Sequence, residues 1–287
     1  MTLYNNQQTS FKFEVKHAWL VVVLLIVAQV AASIPVAFAG VLNKMLFSSS
    51  EQVEAWLNVA TMLLTYAILL FLIYLVFKNK VRPKPLIEQR KLKWYILPIL
   101  LLTTLSFIVV FEPVNIFFEE VLPMPEFFKK IFEKAFTPSI ATVFTAVIIA
   151  PLFEELLMRG IILRGLLTSG STLKAILWSA FLFAFIHLNP WQALPAFTIG
   201  IFLGWVYYKT RSIWTPIFIH FVNNGVSFIA LYFATQKGLG INATVKDLIT
   251  TDIYTCLYVA SAIVLPLSIL ALYFSFKNSK SSKSIQE

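Results

Sequence analysis

Apolar residues along this chain come in long runs bounded by charged or polar segments. Eight such runs stand out, near 18 to 40, 56 to 77, 94 to 111, 137 to 167, 173 to 189, 191 to 208, 213 to 234 and 253 to 276. A helix needs roughly 20 apolar residues to cross the hydrocarbon layer, so the pattern predicts an all-α, polytopic membrane protein of about eight transmembrane helices. The first run is too long for a signal peptide, and Ala37-Phe38-Ala39 is only a weak cleavage mimic with further spans behind it, so it is read as a membrane helix. The segment Glu112 to Phe136 differs: it mixes five Glu and three Lys with six Phe and is broken by Pro113, Pro123 and Pro125. It predicts an interfacial helix on the outer leaflet, or more plainly an amphipathic connector.

Composition agrees and narrows the class. The 287 residues are 59% hydrophobic and 13% charged, with a mean hydropathy of +0.79, whereas a soluble domain carries about 25% charged residues. A conventional soluble enzyme is excluded. The net charge of +9 does not imply nucleic acid, because the basic residues fall in short segments between apolar runs, as membrane orientation signals do. The segment 78 to 93 holds Lys78, Lys80, Arg82, Lys84, Arg90, Lys91 and Lys93 against Glu88 alone. Placing it in the cytoplasm puts 17 of the 23 Lys and Arg on that side, with both termini cytoplasmic.

Chemistry has few residues to draw on. Cys256 is the sole cysteine, which excludes an intrachain disulfide or thiolate cluster. The only aspartates, Asp247 and Asp252, share one late polar segment, which argues against a pair of intramembrane aspartates. Titratable groups inside a span are costly and mark function by default. They occur in the fourth run at Glu154, Glu155 and Arg159, in the fifth at His187, and in the seventh at His220, followed by Asn224; the sixth carries only Gln192 near its outer end.

Glu155 and Arg159 stand i,i+4 with the acid first, the favourable order for a helical ion pair, and are read as supporting residues. Glu154 points about 100° away around the helix and has no partner in its own helix. Phe183 and His187 share a face, as do His220 and Asn224. A short turn at Thr168 to Leu173 leaves Glu154 and His187 each 14 residues from it, level at roughly 21 Å along their helices. His220 comes about 10 to 14 Å into the seventh helix and Asn224 about 16 to 20 Å. Such a set can hydrolyse a bond. A glutamate can serve as general base for water, with His187 orienting that water. Alternatively Glu154, His187 and His220 can bind a divalent ion such as zinc. Asn224 and a histidine N–H can stabilise an oxyanion. Spacing leaves both the metal and the metal-free reading open.

Glu154-Glu155-Leu-Leu-Met-Arg159, Phe183-x-x-x-His187 and His220-x-x-x-Asn224 together resemble the three motifs of the CAAX-protease and bacteriocin-processing (CPBP or Abi) family of intramembrane endopeptidases, over about residues 137 to 235. The resemblance implies that Glu154 activates the water and that His187 assists it or binds a metal. His220 and Asn224 would form the oxyanion site or complete the ligands, while Glu155 and Arg159 hold the motif. It implies a protease core over 137–235 formed by the fourth to seventh helices; the pattern of runs adds membrane helices and an interfacial segment over 1–136 and a last helix with a cytoplasmic tail over 236–287. The substrate would be a membrane-associated protein or peptide tail, and the location a bacterial cell membrane. Two other readings use the same residues: a transporter or proton pathway built on Glu154 and the histidines, and a non-catalytic bacteriocin immunity protein.

Overall fold

The computed structural model describes residues 11–47, 51–78, 93–135, 137, 139–240 and 243–277. They form helices α1 (Val15–Phe47), α2 (Glu51–Phe77), α3 (Ile96–Val121), α4 (Glu126–Ala135), α5 (Ile140–Leu166), α6 (Thr172–Phe185), α7 (Pro190–Thr210), α8 (Trp214–Gln236), α9 (Val245–Leu248) and α10 (Thr251–Lys277). No strand occurs among the described residues. The fold is all-α, and each of the eight apolar runs corresponds to one helix. Six of these, α1, α2, α3, α5, α8 and α10, are long and apolar enough to cross a membrane. Their outer faces carry exposed apolar side chains, as at Ile263 and Leu267 of α10, which is how a helix meets lipid. Most of the basic segment 78 to 93, and Lys280 and Lys283, lie outside the described residues.

Two boundaries differ from those the sequence suggests. The polar segment 112 to 136 is not one interfacial element. α3 runs on through Pro113 to Val121, and the buried Glu112 accepts from the backbone N–H of Val245, which ties that turn to the connection between α8 and α10. The helix breaks where Pro123 and Pro125 cannot donate, leaving only α4 as an amphipathic helix. Phe128 of α4 packs on Trp191 (5.3 Å between rings), and Trp191 Nε1 donates to the Leu122 carbonyl at 2.7 Å.

The other boundary is the end of α6, which stops at Phe185 rather than near 189. Leu188 takes a left-handed conformation (φ 49°). Asn189 precedes a proline, which disfavours helix, and it caps α7 by accepting from Trp191 N at 3.0 Å. His187 therefore lies in a turn at the end of a 14-residue helix, and not within the helix.

α5 lies at the centre of the bundle, with α6, α8 and α2 against it, and α1 pairs with α2, α6 with α7, and α3 with α10. One buried apolar cluster runs from Val21 of α1 and Leu69 of α2 through Met158 and Ile162 of α5 to Leu203 of α7 and Ile219 of α8. α6 and α7 approach closely because α7 presents Gly200 and Gly204. A Cβ at Gly200 would stand 3.1 Å from Ala180 Cα and 3.3 Å from Phe183 Cδ1, and one at Gly204 3.1 Å from Ile176 Cγ2. Two small residues four apart are the usual device for such contact between membrane helices. The chain before α1 packs on the turn after α5: the Phe13 ring covers Gly165, and the Ser169 hydroxyl donates to the Phe13 carbonyl.

Candidate active site

The chemistry-bearing helix α5 is irregular. Two π-helical stretches, Phe144–Ile149 and Leu156–Leu163, flank the α-helical Ala150–Glu155 that carries both glutamates. The first stretch has a cause in the sequence. Ala150 N–H bonds to the Thr145 carbonyl, five residues back. In that register the Ala146 carbonyl should be served by residue 151, a proline with no N–H. The side chain of Asn224 on α8 fills the gap, donating from Nδ2 to Ala146 O at 2.8 Å. A carbonyl can only accept, so this bond also fixes which way the carboxamide faces; its Oδ1 accepts from Asn223 Nδ2 at 3.1 Å. Asn224 and His220, expected to share a face, do so, and both are spent on α5 rather than on each other.

His220 stands between the two consecutive glutamates. Its Nδ1 is 2.9 Å from Glu155 Oε1, and its Nε2 is 3.9 Å from Glu154 Oε2. The Glu155 oxygen also accepts from Arg159 at 2.8 Å, the i,i+4 pair expected from the sequence. Both partners are fully buried, and Arg159 donates a second bond to the Gly200 carbonyl at 3.0 Å. The guanidinium lies over the Phe183 ring, 4.8 Å from its centroid, and the same ring meets both histidines edge to face, His187 at 5.1 Å and His220 at 5.4 Å. Phe183 is thus the shared wall of the cluster. A carboxylate accepts and cannot donate, so Nδ1 of His220 carries the proton that meets Glu155.

Glu154 is the member that is not enclosed: it lines a cavity of about 360 Å³ together with His187 and Tyr66. His187 Nδ1 is 2.7 Å from the Phe183 carbonyl. Nδ1 must therefore be the donor, which in the neutral ring leaves Nε2 as an acceptor. Tyr66 of α2 stacks on Phe153, the residue before Glu154, with ring centroids 4.6 Å apart. Of the residues singled out in the sequence, Glu154 and His187 border the cavity, while His220, Glu155, Arg159 and Phe183 stand behind them. Asn224 is turned to the α5 backbone.

Glu154, His187 and His220 do not stand as one ligand group. Among the described residues no three His, Cys, Asp or Glu side chains converge closely enough to hold a metal ion.

With this geometry in place, the comparisons with known proteins bear directly on the same stretch of chain. Residues 136–226 match the family model described as type II CAAX prenyl endopeptidase Rce1-like. The segment 136–226 is similar to the core of a CAAX protease. It contains Glu154, Glu155, Arg159, Phe183, His187, His220 and Asn224. The chain is also similar to the "Putative membrane peptidase YdiL" of Bacillus subtilis (strain 168), 31% identical over 77 residues, which are 27% of this chain and 32% of that protein. The chain thus spans about a third of the length of the curated relative it matches. No solved structure matches.

Parts of the site lie beyond that core and beyond the motifs. Gln29 of α1 and Asn58 and Tyr66 of α2 border the same cavity as Glu154. They obey the rule that found the core residues, polar groups within apolar runs, but a carboxamide carries no charge to draw notice. The Ala146 and Gly200 carbonyls leave no sequence signal of their own; only Pro151 hints at the first.

Proposed function

We propose that this protein is an intramembrane endopeptidase that hydrolyses a peptide bond in a membrane-associated protein or peptide tail entering from the cytoplasmic side. The observation that carries the reading is the pairing of one cavity-facing carboxylate, Glu154, with His187 on a single cavity inside a CAAX-protease-like core.

Glu154 takes a proton from water, and the resulting hydroxide attacks the scissile carbonyl carbon. His187, with Nδ1 tied to Phe183, accepts from that water through Nε2 and sets its direction. As the tetrahedral oxyanion forms, the Asn224 amide hydrogen that Ala146 does not take is the candidate donor to it, since both imidazoles commit their N–H elsewhere, His220 to Glu155 and His187 to the Phe183 carbonyl. Collapse breaks the C–N bond, and Glu154 returns its proton to the departing amine. Glu155 and Arg159 hold His220 against Glu154. The donor arrangement does not suit a three-ligand ion, so no step runs through one.

The test is a comparison of neo-C-termini in membranes carrying the natural protein or Glu154→Ala. Termini that vanish in the variant, with its level in the membrane unchanged, are expected. Termini that persist at the normal rate would refute the assignment.

A further inference from the structure

The cavity beside Glu154 has two unlike sides. One is the CAAX-protease-like core, with Glu154 and His187. The other is built by α1 and α2, which lie outside the matched segment 136–226, and it carries Gln29, Asn58, Thr61 and Thr65. Gln29 sits within Ile26-Val27-Ala28-Gln29-Val30-Ala31, far inside a 32-residue apolar span, and Asn58 is in the α2 span. A polar side chain at such a position is costly unless it has a use.

The hydrogen-bond inventory of this wall says what that use is. The Thr61 hydroxyl donates to the Leu57 carbonyl at 2.9 Å and that of Thr65 to the Thr61 carbonyl at 2.8 Å, so both hydrogens are spent on α2 itself. Gln29 and Asn58 make no hydrogen bond to any described residue. Each offers a carbonyl and an NH₂ to the cavity, the same pair of functions that a peptide group carries.

A peptide bond about to be hydrolysed needs exactly such partners. While helical, a segment buries its carbonyls in its own ladder, so the substrate must be extended where it passes Glu154. The N–H and C=O groups freed there, in surroundings without bulk water, must be satisfied by the protein. We infer that Gln29 and Asn58 bind the main chain of an extended polypeptide substrate across the cavity from Glu154. This rests on the endopeptidase reading above. Recognition through main-chain groups is indifferent to substrate side chains, so the wall sets the conformation of the substrate and not its sequence.

The experiment counts neo-C-termini in membranes from cells making the natural protein, Glu154→Gln, Gln29→Met, Asn58→Leu, or the last two combined. Met and Leu approximate the shapes they replace and suit a membrane span, and protein level and melting temperature in detergent are measured for each. The expected result is that termini dependent on Glu154 fall at least tenfold in the double variant and by less in each single one, with melting unchanged. Gln29→Asn combined with Asn58→Gln, which keeps both carboxamides, should restore part of the yield. Full yield from the apolar variants, while Glu154→Gln abolishes it, overturns this inference and leaves the endopeptidase reading standing. Should the termini survive in Glu154→Gln, the endopeptidase reading fails and this inference with it.

Discussion

Nδ1 of His220 and Oε1 of Glu155 lie 2.9 Å apart on neighbouring helices, and this contact separates the tasks of two adjacent glutamates. Glu155 is enclosed and spends its charge on Arg159 and His220. Glu154, one residue earlier, faces the cavity. Losing Glu155 leaves Arg159 as an unpaired buried cation, which typically costs about 3–5 kcal/mol. Glu155→Ala should therefore lower the melting temperature in detergent and reduce the folded yield. Glu154→Gln should melt normally while losing cleavage. Equal melting of the two variants would show that the buried pair does not support the fold.

The bond from Asn224 to Ala146 makes a prediction of a different kind, because a proline creates the need for it. Asn224→Leu leaves a carbonyl unsatisfied, a loss of about 1–3 kcal/mol. In the Asn224→Leu/Pro151→Ala double variant the backbone regains an N–H at position 151, so the second change should offset part of the first. A double-mutant cycle on thermal or denaturant unfolding would read this as coupling of about 0.5–3 kcal/mol. Strict additivity would remove the proposed link.

Gly200 both admits α6 and presents the carbonyl that Arg159 holds. Gly200→Ala must displace Ala180 or Phe183 by a few tenths of an ångström, a strain of about 1–3 kcal/mol, and should reduce cleavage with a modest loss of stability. Gly200→Val should be markedly worse in both, and cleavage and melting measured together would show it.

Cleavage without an ion predicts that activity persists after exhaustive chelation and dialysis. Loss that zinc alone restores would mean that the donors rearrange to bind it, and would return Glu154, His187 and His220 to the role of ligands.

Much of this site was legible because the sequence has so few polar groups to misplace. The equal spacing of Glu154 and His187 from one turn put them at the same depth, and they border one cavity. The i,i+4 order of Glu155 and Arg159 gave their bond. What stayed hidden depends on the backbone. Nothing in a run of apolar residues announces that α6 ends at Phe185 until Asn189-Pro190 is read as the start of the next helix. Pro113 reads as a break, yet α3 continues through it to Val121. The wall formed by Gln29 and Asn58 is contributed by helices more than 80 residues before His187 along the chain, and only packing brings them to the site.

The shortness of α6 bears on where the second reactant comes from. Fourteen residues rise about 21 Å, less than the roughly 30 Å of a hydrocarbon layer, and the turn that follows keeps its N–H groups satisfied by bonding Ile186, His187 and Leu188 back to the carbonyls of Leu182, Ala184 and Phe185. Irregular backbone at such depth persists only where protein encloses it or where it borders a wetted space. Asn189 is buried, and His187 opens on the cavity. The truncation that delivers the imidazole thus places it at the cavity beside the glutamate, where the proposed hydrolysis would draw one water molecule per turnover.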